Sequence, residues 1–146
     1  ATVTTHDLPT LNGYWTASDI ELRRRLSLYP SDEVRGMVAD ERVRDRSALV
    51  DALEEEGLRP AGCDRAAEPY GQALSHAIHQ FLARSSAALV VLQAEDLVGM
   101  ADPVNVPGTS HEHANWQRKM SRDVAAIFGD TEVRRLLDAV QAARTR

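Results

Sequence analysis

Ala87-Ala88-Leu89-Val90-Val91-Leu92 is a run of apolar residues with no polar break. It lacks the alternation of a half-solvated strand. It suits a strand covered on both faces, as in a parallel sheet. The segment before it supports that reading. Leu74, Ala77, Ile78, Phe81 and Leu82 stand at i, i+3, i+4, i+7 and i+8, one stripe of a helix over about 70–84. A helix leading into a buried strand is half of a βαβ unit. The β-branched stretch Thr2-Val3-Thr4-Thr5 predicts the partner strand over 2–5. The expected fold class is therefore α/β, mainly helical in this chain. Two parallel strands cannot close a sheet, and an apolar edge invites aggregation. Further strands are expected from outside the chain.

Working outward, helices fill the rest. Ser18 and Glu21 have the S-x-x-E spacing of a capping box, predicting a helix over 18–28 that Tyr29-Pro30 ends. Ser31 is expected to cap a longer helix over about 32–56, with Val34, Met37 and Val38 opening its apolar face and Leu49, Val50 and Leu53 continuing it. Gly57 stops it. Residues 57–69 hold Gly57, Pro60, Gly62 and Pro69 and predict a loop, and so do residues 102–116. Ser121 is expected to cap a short helix containing Val124, Ile127 and Phe128. Asp130 caps the last helix, striped by Val133, Leu136, Leu137 and Val140.

Composition narrows the function. The net charge of −5 leaves no surplus to displace phosphate counterions, so the chain does not read as a nucleic-acid binder. The run Arg23-Arg24-Arg25 is diluted by Asp19, Glu21 and Asp32. No apolar stretch approaches the roughly 20 residues of a membrane span. The N-terminus lacks the basic-then-apolar order of a signal peptide, and it lacks an initiator methionine, which fits an excerpt or a processed product. Cys63 has no second cysteine to pair with.

Three stretches could carry chemistry. Thr5-His6-Asp7-Leu8-Pro9 follows a predicted strand, where α/β barrels collect their active-site side chains. An imidazole beside a carboxylate suits sugar hydroxyls; the plainer reading is an Asp capping a turn. Gln93-Ala94-Glu95-Asp96 follows the second strand, and its plainer reading is an acidic first turn of a helix. Asn105-Val106-Pro107-Gly108-Thr109 can present an amide from a rigid turn, with Asn115-Trp116 further on; the plainer reading is a simple turn with Trp116 in the core. His111-Glu112-His113 is not the H-E-x-x-H of a helical zinc site. Cys63 has no nearby histidine to make it a nucleophile, and no glycine-rich phosphate loop is present.

Taken in order, these stretches resemble a known family. Thr5-His6-Asp7-Leu8-Pro9-Thr10-Leu11 with Gly13-Tyr14-Trp15, then Leu26-Ser27-Leu28-Tyr29-Pro30, Leu92-Gln93-Ala94-Glu95-Asp96, Asp102 to Thr109, and Asn115-Trp116-Gln117-Arg118-Lys119 are similar to successive motifs of bacterial 4-α-glucanotransferases, glycoside hydrolase family 77. Five motifs in family order are a specific signal. Gln117 stands where the family commonly has arginine.

The resemblance implies the C-terminal portion of a (β/α)₈ barrel. Residues 2–5 would be its seventh strand, 87–92 its eighth, and about 17–57 a helical insertion. It implies transfer of α-1,4-glucan segments between malto-oligosaccharides by a retaining mechanism, in the cytoplasm, without cofactor or metal. The implied partners are the glucans and the N-terminal part of the same enzyme, which would hold the nucleophile and the acid/base. Asp7 matches the third carboxylate, a transition-state stabiliser. His6 and Asn105 match substrate-binding positions, and Glu95 and Asp96 match supports. The chain alone is expected to be inactive. Low aromatic content, 5%, fits a partial sugar enzyme, since complete ones usually carry more aromatic platforms. A free-standing helical interaction module is the alternative reading.

Overall fold

The computed structural model describes residues 1–62 and 69–145. Cys63 lies outside the described residues. Seven helices are described: α1 (Leu11–Thr16), α2 (Ser18–Arg25), α3 (Asp32–Glu55), α4 (Gln72–Ala83), α5 (Ala94–Leu97), α6 (Val124–Gly129) and α7 (Thr131–Arg144).

Neither 2–5 nor 87–92 forms a strand. They meet in a single parallel bridge between Thr2 and Val91, with the Val91 amide donating to the Ala1 carbonyl at 2.9 Å. The direction of pairing is the expected one, but the buried strand is a correction. Leu89 is 68% exposed and Val91 46%. Leu92 packs against the α4–α7 cluster, but with Leu89 and Val91 open and no further neighbour to extend the ladder the run does not hold a regular strand.

α4 is the central element. One side packs with Leu11 and Trp15 of α1 and Val50 and Leu53 of α3 around Leu74, Ala77 and Ile78. The other end brings Ala83 against Leu136 and Val140 of α7. The predicted stripes of α4 and α7 are thus used inside the molecule. Arg144, in the last turn of α7, donates to the carbonyls of Ser85 and Ala87 at 3.0 and 2.6 Å, tying down the link after α4.

Caps mark the ends. Ser31 accepts from the Val34 amide, and Asp130 accepts from Glu132 and Val133. Past α3, Gly57 takes φ 65°, and the Leu58 amide closes back on the Leu53 carbonyl at 2.7 Å. This is the six-to-one bond of a glycine-terminated helix. Ser18 is a correction: the N-cap of α2 is Ala17 at φ 58°, with no side-chain cap. Ser121 is another, because α6 starts after Asp123 and only Ile127 is buried there. The expected start of the α3 stripe also fails. Val34 is 37% and Met37 64% exposed; the first half of α3 instead buries Arg42.

Candidate functional site

The chain leaves the Thr2 bridge and turns sharply. Leu8 donates its amide to the Thr5 carbonyl at 3.1 Å, which lifts His6 and Asp7 out at the turn. Thr10 then caps α1, accepting from the Gly13 amide. Both flanks of the turn are tied to one buried carboxylate. Asp96 accepts from Thr4 Oγ1 at 2.5 Å and from the Leu11 amide at 2.7 Å. It is 2% exposed. Burial pushes its carboxyl up from the ordinary range, while the hydrogen bonds from Thr4 and Leu11 pull it down.

The residues predicted for the site come together. Asn105 Nδ2 donates to Asp7 Oδ1 at 2.7 Å. His6 Nε2 lies 3.4 Å from Asp7 Oδ2, and both side chains are 55% exposed. The carboxylate is therefore held at the surface by an amide and an imidazole. Among the described residues no arginine is paired with it. Asp7 also lines an open cleft of about 690 Å³ with Val3, Leu8, Tyr14 and Ile78.

The loop carrying Asn105 is laced from behind. Asn115 Oδ1 accepts from the Val106 amide at 2.9 Å, and its amide donates to Thr109 Oγ1 at 2.8 Å. The Trp116 amide donates to the Val104 carbonyl at 2.8 Å. Trp116 is not in the core, which corrects the plainer sequence reading. It is 61% exposed, and its ring centroid lies 5.2 Å from that of His6. Its φ is 63°, a region that costs a bulky residue about 1–3 kcal/mol.

Glu95 and Asp96 open the short helix α5, as the plainer reading expects, yet both also hold neighbours. Arg118 Nη2 sits 3.1 Å from Glu95 Oε1 with both side chains 17% exposed. The pair anchors the segment bearing Trp116. Arg118 makes this contact; Gln117 is exposed. Glu112 accepts from the Ser110 and His111 amides, and no three candidate metal ligands gather among the described residues. Also among the described residues, no helix is long and apolar enough to cross a membrane. Sequence reading finds Asp7, His6 and Asn105 by their motifs. It misses the Asp96 tie and the Trp116–His6 contact, because both depend on long-range placement.

A family model described as 4-alpha-glucanotransferase matches residues 1–125. The chain is 32% identical to the 4-alpha-glucanotransferase of Haemophilus influenzae, covering 99% of this chain and 21% of that protein. It is 32% identical to the Mycobacterium tuberculosis 4-alpha-glucanotransferase, over 99% of this chain and 20% of that one. It superposes on the crystal structure of amylomaltase from Corynebacterium glutamicum with a TM-score of 0.82 at 26% identity, covering 95% of this chain and 21% of that chain. The chain thus spans about a fifth of the length of these relatives.

Proposed function

The chain belongs to the glycoside hydrolase 77 family of 4-α-glucanotransferases, and from that membership we propose that it carries the sugar-gripping wall of such an enzyme's active site. The observation that supports this most directly is the Asp7 carboxylate, held between Asn105 and His6 with open acceptor capacity beside a cleft. Such a carboxylate can accept two hydroxyls of a glucose ring. Its charge then stabilises the oxocarbenium-like centre that forms as the glycosidic bond breaks.

In this reading the reaction is a retaining transfer between α-1,4-glucans. A carboxylate nucleophile forms a glycosyl ester while a second carboxyl protonates the departing 4-oxygen. An acceptor glucan's 4-hydroxyl then attacks the ester and gives up its proton to the same group. The two carboxyls stand about 5–5.5 Å apart in such enzymes. They belong to the part of the relatives that has no counterpart in this chain. Asp7 stabilises the transition state, while His6 and Asn105 bind substrate and aim the carboxylate. Glycosyl transfer between glucans requires no redox or nucleotide cofactor.

The same reading makes residues 2–5 and 87–92 the seventh and eighth strands of a (β/α)₈ barrel, ordered once neighbouring strands pair with them. Residues 17–57 become a helical insertion. Partners are the glucans and the N-terminal part of the same enzyme, in the cytoplasm. Two measurements test it. The purified chain incubated with maltotriose gives no longer or shorter glucans. In the full-length enzyme, Asp7→Asn lowers kcat about 10²–10³-fold with little change in KM, as expected for an interaction stronger in the transition state. Clear disproportionation by the chain alone, or a variant with unchanged kcat, overturns the proposal.

A further inference from the structure

We propose that Trp116 is an aromatic platform on which a second glucose ring of the bound glucan lies, next to the ring gripped by Asp7. The inference rests on the glucan-binding reading above and extends it to a residue whose plainer sequence reading was a place in the core.

Two independent features of the residue carry it. First, the indole is 61% exposed, while the other tryptophan, Trp15, is 1% exposed and packed in the core. Second, the backbone at Trp116 sits at φ 63°, where asparagine or glycine is at ease and a tryptophan is not. Strain of this kind persists only where surrounding contacts hold it, and it clusters at functional sites. Those contacts are present: the Trp116 amide is hooked to Val104, Asn115 is laced into the Asn105 loop, and Arg118 is paired with Glu95.

Position adds direction. The indole touches His6 with ring centroids 5.2 Å apart and planes 50° apart. His6 touches Asp7, and Asp7 holds Asn105. The four side chains form one continuous surface with the carboxylate near its middle and the indole at its end. A pyranose ring presents a face of C–H groups that packs on a flat π-face much as another ring edge does. An α-1,4-glucan is a chain of such rings, so a grip on one ring brings its neighbour over the indole.

The test uses the chain with maltoheptaose, followed by nuclear magnetic resonance of its side-chain N–H groups. Addition of the glucan is expected to shift the Trp116 indole N–H together with the Asn105 side-chain amide and the His6 ring, and to leave the Trp15 indole unmoved. Trp116→Asn removes the ring and fits the left-handed backbone. It is expected to keep or raise the thermal midpoint while weakening maltoheptaose binding about three- to tenfold, the worth of one aromatic contact. Trp116→Phe is expected to recover part of that loss. If Asn105 and His6 respond while Trp116 does not, or if Trp116→Asn binds as tightly as the parent, the platform is overturned and the glucan reading stands. If Trp116→Asn lowers the midpoint sharply, the indole is structural and the platform is again overturned. If neither Asn105 nor His6 responds at any glucan concentration, both readings fall.

Discussion

Asp96 and His79 are the two groups whose protonation the fold itself perturbs behind the Asp7 turn. Burial pushes the His79 imidazole down, opposed by its hydrogen bond to Ser75 and by the Asp96 charge. Its Nδ1 lies 2.7 Å from the Ser75 carbonyl, so Nδ1 carries the proton and Nε2 does not. Nε2 has no partner among the described residues. Protonating it means placing a charge in a buried site. The unfolded chain takes that proton more easily, so the contribution of a neutral His79 is complete above an ordinary histidine pKa of about 6.5 and is lost as pH falls below it. Asp96 has the opposite sign. Its raised pKa makes the native state hold a proton longer, so its cost appears as pH rises above the ordinary carboxylate range of about 4. From pH 7.5 to 5.5 the stability contributed by His79 is expected to fall, with a slope of at most about 1.4 kcal/mol per pH unit for one proton. His79→Leu should flatten it, leaving the contribution of His76, whose pKa burial also lowers. An unchanged slope in scanning calorimetry of the variant would remove His79 from the account. At this scale the sequence singles out His6, Asp7 and Asn105 through short motifs, and the structure places the three side chains together. Asp96 was readable as an acidic first turn and, through the resemblance, as a support, but not for what it ties, since Thr4 and Leu11 are 92 and 85 positions away.

Helices were legible where a stripe or a cap acts locally, and illegible where tertiary contacts decide. α4 and α7 follow their spacing because both stripes are covered inside the molecule, that of α4 by α1 and α3 and that of α7 by Ala83 at the end of α4. α1 was missed: it is six residues long, with a glycine in its middle. Gly13 is there because a Cβ would lie 2.7 Å from the Ala101 carbonyl, a close approach that no local pattern announces. The apolar opening predicted for α3 failed for a related reason. There the helix docks by Arg42, whose guanidinium makes two bonds to the Asp19 carboxylate at 2.8 and 2.9 Å and a third to the Tyr14 carbonyl at 2.6 Å. It also lies 3.7 Å over the Tyr14 ring. One side chain therefore joins α1, α2 and α3, with side chains only 10% and 12% exposed across the ion pair. Removing one partner strands the other charge, which costs about 3–5 kcal/mol in buried pairs. Arg42→Ala is expected to fall at the lower end of that range in urea denaturation. Arg42→Lys should recover only part, because an ammonium supplies neither the two-bond fork nor the flat stacking face. Full recovery by lysine would mean that charge alone holds the three helices together.

Across the whole molecule, apolar exposure is unevenly placed. The core residues Val50, Leu53 and Leu74 are covered within the chain, while Leu89 and Val91 stand open on the segment whose apolar run first suggested a sheet. The run was read as a buried strand and is not one here, because a sequence states what a side chain prefers and not which neighbours it meets. In a doubly covered parallel sheet those residues would meet strands and helices on every side; here they meet one bridge. The difference can be measured with a single substitution. Leu89→Lys places a charge at a position 68% exposed, so in this chain it should change stability by no more than about 0.5 kcal/mol, the usual range for a surface site. It should also reduce concentration-dependent association in sedimentation, since a lysine blunts an open edge. In the full-length enzyme, under the barrel reading, the same lysine replaces a covered leucine and should cost at least about 2–5 kcal/mol, the scale of truncating a buried leucine, or prevent folding. Equal, small effects in both proteins would mean that residues 87–92 stay uncovered even when the rest of the chain is present, and the eighth-strand assignment would have to be abandoned while the Asp7 site kept its own, separate tests.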